Sequence, residues 1–213
     1  MKQLSSRLAQ WQALRSVLPV VYLPTIIAIA IALILLPDDI PASFLTRDPA
    51  SIAGEPAYFG LFSNIGVLFW CAAAAICLFC AVVCQKIARN WQLTLFFLAS
   101  GCFTTLLLLD DLFLFHERLY PRFLFGETVA FSLYGAILGL LLLCFRRLVA
   151  TTDFILLLLA LGFLGTSAIA DLAFESDPYL IEAGSKLLGI VSWFAYWSRA
   201  ALQQLGRLIL ERR

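Results

Sequence analysis

The chain has 213 residues, of which 62% are hydrophobic and only 14% charged, against roughly 25% charged in an ordinary soluble domain. A mean hydropathy of +0.92 excludes a water-soluble globule, which cannot hide that much apolar surface, and excludes disorder, which needs a polar chain poor in aromatics. The formal net charge of +1 leaves no basic excess for nucleic acid.

Six runs reach the roughly 20 mostly apolar residues that a bilayer-crossing helix needs. They are continuously apolar rather than alternating, which selects helices over barrel strands. The expected fold is therefore all-α, one polytopic domain of six transmembrane helices spanning residues 1–213.

Residues 1–16 carry Lys2, Arg7 and Arg15, with Leu4, Leu8, Trp11 and Leu18 on one helical stripe. This reads as a segment lying along the membrane surface. It begins as a signal peptide begins, but the apolar run is too long and no small-x-small cleavage site follows. The expected first span, about Val17 to Leu36, is thus retained. Pro37, Pro41 and Pro56 bracket an acidic loop, residues 37–57, holding Asp38, Asp39, Asp48 and Glu55. Its simplest reading is a hydrated loop, and its alternative is a cap over a neighbouring site.

The second span runs from about Tyr58 to Cys84. Cys77, Cys80 and Cys84 make a stripe on it, and none of the six cysteines falls in an outer loop. A disulfide framework is not expected. Packing is the favoured role, ahead of a soft-metal or lipidation site. Trp70 is mid-span and expected in the core.

The third span, about Gln92 to Phe115, ends in Asp110-Asp111-Leu112-Phe113-Leu114-Phe115-His116-Glu117, with the chain's single histidine. Asp110 lies 19 residues beyond Trp91, about 28 Å up a hydrocarbon core of about 30 Å. Asp110 and Glu117, seven residues apart, share one helix face and Asp111 and Arg118 another, and His116 and Glu117 stand one turn higher, at the water.

The fourth span, about Thr128 to Phe145, opens beside Glu127 and carries Gly135-Ala136-Ile137-Leu138-Gly139. Gly162 and Gly165 on the fifth span, about Phe154 to Phe174, and Gly184 and Gly189 on the sixth, about Tyr179 to Leu202, have the same small-residue character. Such faces let membrane helices approach closely. Packing inside the chain is the first expectation, homo- or hetero-oligomer formation the second. Asp171 closes the fifth span with Glu175 one turn above; Glu182 opens the sixth with Lys186 one turn deeper, about 10 Å below Tyr179. Residues 203–213 read as a cytoplasmic helical tail. Trp11, Trp91, Trp193 and Trp197 fall where inner-interface anchors are expected.

Orientation follows the Lys/Arg bias. With the N-terminus inside, eleven cations flank the inner side and three (Arg47, Arg118, Arg122) the outer. Both termini are then cytoplasmic in a multi-pass protein of a bacterial inner or comparable membrane. Twelve of the fourteen acids lie outside or at the outer ends of spans, which positive-inside sorting does not require.

Charges inside a membrane are costly unless paired or hydrated, so they turn to the bundle interior. Spans three, five and six are expected to converge on an outward-facing polar site, with Asp110, Asp111, Asp171 and Lys186 as candidate reacting groups. Lys186 is expected to pair with Glu182 and one of Asp110, Asp111 or Asp171. Asp110, Asp111, His116, Glu117 and Glu182 form a candidate donor set for a hard divalent ion such as Mn, Mg, Ca or Fe. One histidine is too few for a His-rich zinc site, and neither HExxH nor GxSxG is present. The plainer alternative is helix-end charges solvated by headgroups. Beside a metal-binding or metal-assisted membrane enzyme stand two further readings: an assembly subunit, and a small proton- or ion-linked carrier.

Overall fold

A computed structural model describes residues 2–37, 40–41, 43–56, 58–123, 126–173 and 179–210. Asp38, Asp39, Glu175, Arg212 and Arg213 lie outside the described residues, as do the side chains of Asp171, Leu4, Leu8, Trp11 and Ile209. The chain forms two compact units, Met1–Phe59 and Gly60–Arg213. All described regular structure is helical.

In the first unit, α1 (Lys2–Ile34) is one helix of 33 residues that runs through Pro19 and Pro24. The surface segment and first span expected separately are thus continuous in secondary structure. The acidic loop contains two short helices, α2 (Ser43–Thr46) and α3 (Pro49–Ala53). The start of α3 is written locally: Asp48 Oδ1 accepts from Ser51 N at 3.1 Å, Pro49 follows at the first turn, and Gly54 ends it at φ 75°. These are the residue types that begin and end helices.

The second unit holds α4 (Leu61–Val83), α5 (Trp91–Phe113), α6 (Tyr120–Phe123), α7 (Glu127–Cys144), α8 (Arg146–Val149), α9 (Phe154–Ala173) and α10 (Tyr179–Leu210). Short π-helical turns, Cys84–Ala88 and Phe115–Leu119, follow α4 and precede α6. Among the described residues, three helical segments are long and apolar enough to cross a membrane: Leu61–Ile87, Trp91–Phe113 and Glu127–Cys144. Leu18–Ile34 and Phe154–Ala170 are apolar but shorter. The 32-residue α10 carries Glu182, Lys186, Arg199 and Arg207 and is amphipathic.

The core of this unit is built on α10, which packs against α9 and α4, with α4 in turn against α5. Trp193, Tyr196 and Trp197 are fully buried, so Trp193 and Trp197 are core residues and not the interfacial anchors expected. Trp70 packs on Trp193 with ring centroids 5.9 Å apart, and Trp193 on Trp197 at 5.8 Å, within the range of favourable aromatic pairs. Cys77, Cys80 and Cys84 are buried in the same core. Leu68, Phe79, Leu140, Leu143, Ile155 and Leu188 are exposed, an apolar exterior suited to lipid.

Close helix approach occurs where a glycine meets a leucine. A Cβ at Gly189 would stand 2.7 Å from Leu164 Cγ, and one at Gly101 2.8 Å from Leu78 Cγ. Gly135, Gly139, Gly162, Gly165 and Gly184 have open space instead, among the described residues. The packing role expected for the Gly135/Gly139 pair therefore belongs to Gly101 and Gly189. Between α8 and α9 Asp153 pairs with Arg199 of α10, and Arg207 donates to the Thr151 carbonyl at 3.0 Å.

Candidate functional site

The site is built at the end of α5, where the continuing helix expected from the sequence does not form. Leu114 takes the left-handed conformation (φ 53°), and its backbone N–H donates to the Asp110 carbonyl. For a non-glycine residue this conformation costs roughly 1–2 kcal/mol, so other contacts must hold the turn. Asp110 supplies them. Its Oδ1 accepts from His116 N at 3.0 Å and its Oδ2 faces His116 Nδ1 at 2.6 Å. The reversal brings His116 back against the end of α5 rather than one turn above it. His116 and Asp110 are both buried.

Asp111, one residue on, faces a different neighbour. Its Oδ1 lies 2.6 Å from Lys186 Nζ on α10. The contact is an ion pair between a buried carboxylate and a half-buried ammonium. The adjacent aspartates thus separate into two pairs: Asp110 with His116 of its own turn, and Asp111 with Lys186 across the helix interface.

Both pairs line one cavity of about 300 Å³. Its apolar walls include Trp70, Phe103, Phe131, Leu138 and Trp193, and Glu117 and Glu182 complete its acidic lining. His116 Nε2 is 3.6 Å from Glu117 Oε1 and 3.8 Å from Glu127 Oε1. The His116 ring lies against Phe131 with centroids 5.1 Å apart. Tyr134 joins through its hydroxyl, 3.4 Å from that of Tyr120. Burial lowers the affinity of His116 for its second proton, but the hydrogen bond and charge of Asp110 outweigh burial. The imidazole is held above its ordinary value, which favours an imidazolium among carboxylates.

The three helices expected to meet, α5, α9 and α10, all contribute to the lining of the cavity. Asp110, Asp111, His116, Glu117, Glu182 and Lys186 all line the cavity, whereas the Asp171 side chain lies outside the described set. Two further walls come from α4, through Trp70, and α7, through Phe131, Tyr134, Gly135 and Leu138. The α7 wall was legible as one helical face running up to Glu127, since these residues recur at helical spacing. Trp70 carried the weaker signal of a tryptophan far from either interface.

Metal ligation is not what this arrangement offers. Among the described residues no group of three or more His, Cys, Asp or Glu side chains is placed to hold a metal ion. The physical reason lies in the pairings. Asp110 is committed to two donors of His116 and Asp111 to the Lys186 ammonium, so neither aspartate offers a metal ion a carboxylate free of protein partners. The polar path that a carrier would need through Thr166, Ser167 and Ser192 is also unformed. Thr166 is exposed and Ser192 half-buried, and both bond to carbonyls of their own helices, at 2.9 and 2.8 Å.

A family model described as a domain of unknown function (DUF8692) matches residues 18–200. No curated protein and no solved structure matches the chain.

Proposed function

We propose that this chain, which belongs to the DUF8692 family, is a six-span membrane protein with both termini cytoplasmic and a ligand-binding cavity open to the outer side. One observation carries the reading: two carboxylate–cation pairs, the buried Asp110–His116 and the Asp111–Lys186 pair of a buried carboxylate with a half-buried ammonium, stand on the wall of one cavity otherwise lined largely by apolar and aromatic side chains. Burying such pairs is seldom worthwhile for stability alone, because desolvation offsets most of their attraction. Apolar pockets with a few convergent polar groups are the usual form of a small-molecule site. The eleven-to-three cation bias supports the orientation, and α1, α9 and α10 supply the three spans beyond those that are long and apolar by themselves.

In this reading Asp110 holds His116 by Nδ1 and leaves Nε2 toward the cavity, the orientation a carboxylate imposes on a working imidazole. The assembly reading draws on the open space at Gly139.

Accessibility tests the proposal. Ser167 lines the cavity and is buried. Ser167→Cys is expected to react in intact cells with a small membrane-impermeant methanethiosulfonate, above the background of the parent cysteines. Labelling only from the cytoplasmic side overturns the orientation. No labelling from either side overturns the open cavity.

A further inference from the structure

We infer that the cavity takes a neutral apolar molecule that presents a carbonyl oxygen. The inference rests on reading this cavity as a ligand site and adds the class of ligand.

The charges of the lining are matched within the protein. Asp110 accepts from the backbone N–H and the Nδ1 of His116 at 3.0 and 2.6 Å. Asp111 pairs with Lys186, and Glu182 has an interaction of its own. A charged ligand has to break one of these pairs or stay unmatched in an apolar pocket, and both are costly. A neutral ligand does neither.

What the wall leaves unmatched are N–H donors. Trp70 is 3% exposed, yet its Nε1 makes no hydrogen bond. An indole N–H can only donate. His116 gives Nδ1 to Asp110, so Nε2 carries the second proton of the imidazolium that Asp110 favours. The nearest carboxylate oxygens, on Glu117 and Glu127, stand 3.6 and 3.8 Å from Nε2, beyond the reach of a good hydrogen bond. Buried donors without acceptors are uncommon in native structures and call for one.

An oxygen acceptor without a charge answers these donors, and a carbonyl brings two lone pairs and no hydrogen of its own. The hydrocarbon that carries it lies against Phe103, Phe131, Leu138 and Trp193. An amine adds donors where donors are already in excess. A carboxylate brings a second negative charge beside Glu117. A plain hydrocarbon leaves the N–H groups unanswered.

The same carbonyl chemistry is carried by a free ketone or quinone and by the ester linkage of a glycerolipid. The full chain is placed in nanodiscs of ether-linked phosphatidylcholine, which holds no carbonyl. 1-Indanone, indane, 1-aminoindane and indane-1-carboxylate, four probes on one ring system, are titrated while the thermal midpoint is followed. A saturable rise with 1-indanone alone is expected. Trp70→Phe keeps a ring and removes the N–H, and is expected to weaken that response about three- to tenfold, the worth of one hydrogen bond. Gly135→Leu fills open space on the cavity wall and is expected to abolish it. The infrared carbonyl band of bound 1-indanone, read on the parent chain, should lie at lower frequency than in protein-free bilayers. Ester-linked phosphatidylcholine then separates the sources. A midpoint raised by this lipid, with the ketone response blunted, assigns the site to the lipid ester; an undiminished response assigns it to a free carbonyl compound. Indane, the amine or the carboxylate equalling the ketone, an unshifted carbonyl band, an unchanged affinity in Trp70→Phe, or no response in either lipid overturns the inference. If Ser167→Cys is still labelled from outside while 1-indanone leaves the midpoint unmoved, the cavity stands and the ligand class falls.

Discussion

Replacing Lys186 by Met removes the ammonium 2.6 Å from Asp111 and leaves a buried carboxylate whose oxygens have no hydrogen-bond partner. Removing one member of a buried pair typically costs about 3–5 kcal/mol, because the other charge stays behind uncompensated. The Lys186 side chain is 32% exposed while that of Asp111 is 6% exposed, so water screens part of the pair and the lower end, about 3 kcal/mol, is expected. The reverse change, Asp111→Asn, strands a lysine that reaches solvent and has Glu182 nearby on its own helix. Its cost is expected to be about 1 kcal/mol, in the range of a hydrogen-bonded or exposed pair. The double variant Asp111→Asn with Lys186→Met removes both charges and is expected to recover at least half of the Lys186→Met loss. Thermal unfolding in nanodiscs reads all three; about 3 kcal/mol corresponds to a drop of roughly 6–12 °C by the scaling of soluble domains of this size. A Lys186→Met loss no larger than that of Asp111→Asn, or a double variant no better than Lys186→Met, refutes the reasoning that Asp111 is the stranded charge.

Three other outcomes follow from particular contacts. Asp110 holds His116 above its ordinary value of 6.5 against the opposing effect of burial, among Glu117, Glu127 and Lys186; stability from this pair is complete below about pH 6.5 and is lost as pH rises through the higher folded value. The thermal midpoint measured against pH should fall on that alkaline side, and His116→Gln should flatten the fall. Gly135→Leu projects into the cavity, where an added Cβ meets nothing within 4 Å; stability is expected to stay within about 0.5 kcal/mol while the labelling of Ser167→Cys from outside slows. Gly189→Ala places a Cβ 2.7 Å from Leu164 Cγ and 2.9 Å from its backbone nitrogen, so a loss of roughly 1–3 kcal/mol is expected, against none for Gly184→Ala in the same unfolding assay.

Composition and periodicity determined a good deal of this protein. Lipid-scale helices, the level of Asp110 and Asp111 near the C-terminal end of α5, and Lys186 one turn beyond Glu182 on α10 are all readable by counting residues along a helix. That count works because rise per residue is constant and a charge in hydrocarbon must face inward. The narrowing of the partners of Lys186 to Asp111, among several carboxylates at one depth, needed the packing of α10 beside α5. The fate of His116 was less accessible still. Its spacing from Asp110 predicted a place above the aspartates, and the left-handed turn at Leu114 folded it back onto them. Nothing in a leucine announces that turn, since glycine or asparagine is the usual occupant; the two bonds from His116 to Asp110 hold it. That α4 and α7 would close the cavity against α5, α9 and α10 was hidden for a related reason. A helical face can be read from sequence, but the neighbour it meets is a non-local choice made by the shapes of the side chains. Depth, sign and face were therefore properties of the chain, while pairing, reversal and enclosure belonged to the tertiary structure, where Asp110 and Asp111, adjacent and chemically identical, acquired different partners.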